Sequence, residues 1–230
     1  MVTQGQKMGI TTWNDPKNYG LSLTLGGGAV TALDLAKVYS TVANEGKRPD
    51  LLPILEVKDY KGTVLEKNNP VTTQVVDPRV TFLLTDILKD NNARAPEFGY
   101  NSSLVIKNHP EVAVKTGTSN DLRDNWTVGF NQNFLVLAWV GNNDNSPMSH
   151  IASGITGAAP IWNRIMSAIL TNQPSTDWTV PVGVVKINCP DKSEWFLKEN
   201  ILPNYCQPIP SPSPVPNANP ILINGASTTR

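Results

Sequence analysis

The apolar positions of this chain follow two rhythms, one helical and one strand-like. Over residues 31–46, Leu35, Val38, Tyr39 and Val42 recur at the spacing of one helix face. Thr31 stands as the N-cap, Asp34 follows three positions later as in a capping box, and Gly46 supplies the stop. A second helix begins at Asp77 and Pro78, the N-cap and the first helical residue. Its predicted buried stripe is Val80, Leu83, Leu84, Ile87 and Leu88, and Asn91 and Asn92 are expected to end it. A third helix covers 159–171, with Pro160 in its first turn and a wide apolar face of Ile161, Trp162, Ile165, Met166 and Ile169. Pro174 blocks its extension.

The strand-like rhythm opens at 53–66. There Ile54-Leu55-Glu56-Val57 and Thr63-Val64-Leu65 flank the turn Asp59-Tyr60-Lys61-Gly62, which predicts a hairpin. Three further strands are predicted at 112–118, 125–130 and 134–140. Asn131-Gln132-Asn133 is a short turn, so the last two should pair antiparallel. The run 134–140 is apolar nearly throughout, as expected of a strand covered on both faces. The glycines 26–28 are read as a tight turn. A phosphate cradle would need a following Gly-Lys-Ser/Thr or a strand-Gly-x-Gly-x-x-Gly-helix unit, and the sequence has neither. Residues 91–110 read as a polar, irregular connection, long for a compact domain, either functional or disordered. Beyond Cys206, prolines 208, 210, 212, 214, 216 and 220 stand among Ser and Asn, which predicts a disordered or polyproline-like tail.

Composition narrows the partners. Lys and Arg balance Asp and Glu at 19 each, and no basic stripe occurs, so nucleic acid is not an expected partner. No apolar run approaches the ~18 residues of a membrane span, and no signal-peptide pattern opens the chain. Cys189 and Cys206 in a Pro-rich region suggest a disulfide and an oxidising, extracytoplasmic setting; two unrelated free thiols are the other reading. No His/Cys cluster accompanies them, so neither a metal nor a cofactor is predicted. His109 and His150 sit alone in polar loops and are expected at the surface, not as ligands.

The chemistry concentrates in Val114-Lys115-Thr116-Gly117-Thr118-Ser119. Lys-Thr-Gly accompanies Ser-x-x-Lys and Ser-x-Asn in penicillin-binding proteins and serine β-lactamases. Here it ends an apolar strand and is followed by Arg123-Asp124-Asn125-Trp126-Thr127-Val128-Gly129-Phe130. Upstream stand Tyr19 to Gly28 (YGLSLTLGGG) and the helix from Thr31-Ala32-Leu33-Asp34-Leu35-Ala36 to Ala43-Asn44-Glu45-Gly46. Downstream stand Trp139-Val140-Gly141-Asn142 and Ser153-Gly154-Ile155-Thr156-Gly157-Ala158-Ala159-Pro160-Ile161-Trp162. With these blocks in this order, the chain resembles the transpeptidase domain of class A penicillin-binding proteins over roughly residues 1–172, and more loosely over the Cys189–Cys206 segment. Carboxypeptidases and β-lactamases of the same superfamily fit the blocks at Thr31 and Gly154 less well.

The resemblance implies an α/β fold of the α+β type. It would be the C-terminal portion of a penicillin-binding/serine β-lactamase-like domain, with an antiparallel sheet flanked by helices and its N-terminal part missing. It implies that Lys115 supplies positive potential, that the Thr116 and Thr118 hydroxyls donate to a substrate carboxylate, and that Gly117 lets an extended peptide lie against the strand. The expected partners are peptidoglycan stem peptides ending in D-Ala-D-Ala, β-lactams, and the missing N-terminal half of the domain, all in the cell envelope. No serine has Lys three positions on or Asn two positions on, so the nucleophile is not expected in this chain. Ser119 should point away from the site or lie at its rim. The expected layout is 1–172 as transpeptidase portion, 173–206 as an extension with the Cys189–Cys206 disulfide, and 207–230 as tail. The other reading is a non-catalytic cell-wall binding or interaction module.

Overall fold

The computed structural model describes residues 1–148, 155–190, 192–201, 203 and 205–206. The tail after Cys206, His150, and Ser153 and Gly154 of the last sequence block lie outside the described residues. In chain order the elements are α1 (Val2–Met8), α2 (Ala32–Ala43), β1 (Lys47–Pro49), β2 (Glu56–Lys58), β3 (Val64–Lys67), β4 (Thr72–Gln74), α3 (Pro78–Lys89) and α4 (Asn91–Phe98). They continue as β5 (Ala113–Thr118), β6 (Asp124–Phe130), β7 (Leu135–Gly141), α5 (Ala158–Leu170), β8 (Val184–Asn188) and β9 (Ser193–Leu197). The fold is mixed α/β, and its described strand pairs are all antiparallel.

The sheet that organises the molecule runs β5-β6-β7. The pairings Val114↔Gly129, Thr116↔Thr127 and Thr118↔Asn125 place these residues on one face. That face packs on α5, where Trp162, Met166 and Leu170 are buried against Val114, Val136 and Ala138. Gly129 makes the contact possible, because a Cβ there would sit 2.3 Å from the Trp162 ring. The opposite face carries Ala113 and Phe130, which pack with Val42 of α2 and with Tyr39, Leu88 and Trp178.

The helix caps follow the sequence. The Thr31 side chain accepts from the Asp34 N–H at 3.0 Å, and that of Asp77 accepts from the Arg79 N–H at 2.8 Å. The capping box is not reciprocal, however. The buried Asp34 carboxylate instead accepts from the Thr11 N–H and hydroxyl, fixing the segment after α1.

Several expectations need correction. The buried side of α3 is Thr81, Phe82 and Thr85, while Val80, Leu84 and Ile87 are exposed. The helix docks by the face that meets β5 and the C-terminal hairpin, where Phe82 stacks edge-on against Trp195 at 5.4 Å. Asn91 and Asn92 do not close α3 into a loop. They open α4, because the Asp90 carboxylate accepts from the Asn92 and Ala93 N–H groups. The "irregular" stretch also delivers Leu104 and Ile106 to the core. Strand β7 does meet both layers: Val136 and Ala138 are buried on the α5 side, Leu135 packs against the Val42–Phe130 cluster on the α2 side, and Trp139 alone in the strand is exposed, at 37%. His109 is not a surface residue. It is buried, with Nδ1 2.8 Å from Glu111 Oε1 and Nε2 3.1 Å from the Leu170 carbonyl.

The C-terminal segment forms the hairpin β8–β9, closed by a disulfide between Cys189 and Cys206. Arg79 pairs with Glu199 at 2.7 Å, and the Trp178 indole donates to the Glu111 carbonyl at 2.8 Å, so this segment is seated on the body.

Candidate functional site

Residues 115–118 are the second half of β5, and β5 is an edge strand. Its inner side pairs with β6 from Ala113↔Phe130 to Thr118↔Asn125. Among the described residues its outer side has no strand partner, so alternate N–H and C=O groups face outward. The inner half of the strand, Ala113 and Val114, is fully buried and holds it in place. The outer half is open: Lys115 and Thr118 are exposed, Thr116 and Gly117 half-buried.

Strand alternation puts Lys115 and Gly117 on one face and Thr116 and Thr118 on the other. A ligand can therefore meet the ammonium and both hydroxyls together only at the strand's open edge. The Lys115 ammonium already donates to the Thr116 carbonyl at 2.6 Å and keeps further N–H donors for a ligand. A Cβ at Gly117 would find nothing nearer than Trp126 Cβ at 3.8 Å. Internal packing thus does not demand a glycine there, and the space over it is empty.

Ser119 turns out of the strand. Its hydroxyl accepts from the Asp124 N–H at 2.7 Å and donates to the Asp124 carboxylate at 3.1 Å, which ties off the turn into β6. No described lysine or histidine contacts it, so it has a structural partner and no activating one. Asn125 is a residue to which the sequence assigned no role. It is fully buried, donates from Nδ2 to Thr118 Oγ1 at 3.3 Å, and accepts from the Ala158 N–H at 2.7 Å. Its strand neighbours Asp124 and Thr127 are polar too, so the sequence pattern did not single it out. Among the described residues no group of three or more His, Cys, Asp or Glu side chains gathers to hold a metal. A cleft of about 510 Å³ lies away from these residues, beside α3, α4 and the segment carrying Lys107 and His109.

Comparison with known proteins bears on this strand and its surroundings. The family described as penicillin binding protein transpeptidase domain matches residues 3–167. The chain belongs to this family. Penicillin-binding protein 1A of Neisseria lactamica is 30% identical over 187 residues, covering 79% of this chain and 22% of that protein. Penicillin-binding protein 1B of Vibrio cholerae is 28% identical over 177 residues, covering 77% of this chain and 22% of that protein. The chain thus spans about a fifth of the length of the curated relatives it matches.

The fold agrees. Penicillin-binding protein 1A from Haemophilus influenzae superposes with a TM-score of 0.69 at 22% identity, over 84% of this chain and 35% of that one. PonA1 from Mycobacterium tuberculosis, solved in complex with penicillin V, superposes with a TM-score of 0.57 at 22% identity, over 77% of this chain and 50% of that one. This is a class A penicillin-binding transpeptidase-domain sequence, with the β5-β6-β7 sheet and all but the last three residues of α5 inside the matched span. No helix among the described residues is long and apolar enough to cross a membrane.

Proposed function

We propose that this chain is the C-terminal portion of a peptidoglycan D,D-transpeptidase domain and holds the D-Ala-D-Ala end of a stem peptide, or a β-lactam, along the open edge of β5. The observation that carries the reading is the outer side of Lys115–Thr118, which has no strand partner among the described residues, with open space over Gly117. An extended peptide adds to such an edge through backbone hydrogen bonds. Its terminal carboxylate then needs a cation and hydroxyl donors, which Lys115, Thr116 and Thr118 supply. In acyl transfer, backbone N–H groups near the reacting carbonyl stabilise the oxyanion, and the outward N–H groups of β5 offer one such donor.

The attacking group is not among these residues. No serine of the chain has Lys three positions on, and Ser119 is committed to Asp124. The chain therefore binds without turnover, and acylation belongs to a protein that also contains Ser-x-x-Lys and Ser-x-Asn. The disulfide between Cys189 and Cys206 supports an extracytoplasmic, cell-envelope location. The layout that fits is residues 1–172 as the transpeptidase portion, 173–206 as a disulfide-closed extension and 207–230 as a Pro-rich spacer.

Incubation with a fluorescent penicillin followed by intact-mass measurement tests the catalytic half of this reading. No covalent adduct is expected, and a stoichiometric adduct would overturn it. Calorimetric titration with an acylated Lys-D-Ala-D-Ala peptide tests the binding half. Reversible binding that is lost in Lys115→Ala is expected; binding unchanged by that substitution would remove β5 from the site.

A further inference from the structure

Asn125 makes a pair of hydrogen bonds whose directions are fixed by chemistry. Its Oδ1 meets the Ala158 N–H at 2.7 Å. A backbone N–H only donates, so this contact determines which way round the amide sits. The Nδ2 group must then face Thr118 Oγ1, 3.3 Å away. An amide NH₂ only donates, so the Thr118 hydroxyl is the acceptor in this contact. A hydroxyl has one proton and two lone pairs. With one lone pair occupied by Asn125, the proton has to go elsewhere, and no other hydrogen bond of the Thr118 hydroxyl occurs among the described residues. Asn125 is fully buried while Thr118 is exposed. The fixed partner is therefore on the inside and the free proton on the side of the open edge.

We infer that Asn125 is a positioning residue that keeps the Thr118 hydroxyl proton directed out of β5, ready to donate to the carboxylate of a bound ligand. The inference rests on the reading of Lys115–Thr118 as a carboxylate-holding strand. A threonine with a free rotor would pay the entropy of choosing this orientation on binding; here the inner contact has already chosen it. The same amide joins the strand to the first residue of α5, Ala158, so it also carries a purely structural role from which the orienting one must be separated.

A double-mutant cycle separates them. Asn125→Asp keeps an oxygen for the Ala158 N–H but replaces the donor facing Thr118 with an acceptor, which draws the hydroxyl proton inward. The probe is an acylated Lys-D-Ala-D-Ala peptide, and the readout is the penalty of Thr118→Val measured with Asn and with Asp at position 125. With Asn125 present, Thr118→Val should weaken binding about tenfold or more, the loss of a hydrogen bond to a charged group. In the Asn125→Asp chain the same substitution should cost no more than about twofold, the scatter of independent sites. Any general effect of the added charge cancels in this comparison.

An equal penalty in both backgrounds would reduce Asn125 to a structural role and overturn the inference while leaving the peptide site standing. So would peptide binding to the unmodified chain that Thr118→Val does not weaken. Failure of the unmodified chain to bind the peptide at all would overturn the site and the inference together. If circular dichroism shows Asn125→Asp to be unfolded, Asn125→Ala makes the same comparison with an undirected hydroxyl. The Thr118→Val penalty must again shrink, and an undiminished one overturns the proposal.

Discussion

Glu111 shows how a residue that looks incidental in the sequence becomes a fixed charge in the fold. It is 2% exposed, and burial by itself would push its carboxyl up. Ser175 donates to Oε2 at 2.6 Å and His109 lies 2.8 Å from Oε1, and these bonds outweigh burial, holding the carboxyl below its ordinary range. A depressed folded value means that the group contributes stability at pH above its unfolded value. That contribution is lost as the pH falls through the lower, folded value. Urea denaturation at about pH 7 and about pH 3 should therefore show a larger acid loss for the native chain than for Glu111→Gln. At neutral pH, Glu111→Gln should itself cost about 1–3 kcal/mol, since it disturbs a buried network. Equal acid losses in the two proteins would remove Glu111 as the titrating group. Gly117 makes the complementary case. The room found for a Cβ there means that Gly117→Ala should melt at or above the native temperature yet bind the D-Ala-D-Ala peptide more weakly, by calorimetry. Parallel loss of both would show that the glycine serves the fold. The motif itself was legible in four letters, Lys115 to Thr118. The role of His109 was not, because the Leu170 carbonyl that it meets, and the Ser175 hydroxyl that donates to its partner Glu111, arrive only through tertiary packing.

Among the elements, those with strong local signals stand where the sequence put them. The Thr31 and Asp77 caps, the Pro160 turn and the 131–133 turn each rest on residues within a few positions, and α2, α3, α5 and the β6–β7 pair follow. The buried face of α3 was misread for a physical reason. The helix carries more apolar residues than its described neighbours cover, and periodicity cannot say which stripe will be covered. The β8–β9 hairpin escaped notice because its strands are short and its anchors are remote: Phe82 lies against Trp195, and Arg79 pairs with Glu199. Its disulfide is then its main local constraint, bridging a sequence separation of 17 residues. Replacing both cysteines by serine should cost the hairpin about 3 kcal/mol on the loop-entropy estimate. Hydrogen exchange should show the loss confined to 184–197, with β5, β6 and α5 unchanged. Uniform loss of protection across the sheet would mean that the hairpin and the body unfold as one unit.

At the scale of the whole molecule, the sheet has a second open edge. Among the described residues β7 pairs with β6 alone, and Trp139 on it is 37% exposed. Nearby, α5 buries Trp162, Met166 and Leu170 against the sheet but turns Ile161 and Ile165 outward, 47% and 45% exposed. A long unpaired strand beside a second apolar stripe is an association surface. On the proposed reading its occupant is the part of a transpeptidase domain that carries Ser-x-x-Lys and Ser-x-Asn, adding strand to β7 and apolar cover to α5. Two measurements follow. Alone, the 230-residue chain should self-associate as its concentration rises in analytical ultracentrifugation. Lys replacing Val136 or Ala138 would merely damage the core, so the control is Ile161→Lys with Ile165→Lys, which should suppress association without unfolding the chain. Supplied with a polypeptide containing the N-terminal transpeptidase segment of a class A relative, the chain should form a stoichiometric complex that fluorescent penicillin labels, the label residing on the added polypeptide. A monomeric, cooperatively folding chain that ignores the added segment would instead make this sheet complete as it stands, and would favour a free-standing wall-binding module over a portion of a larger catalytic domain.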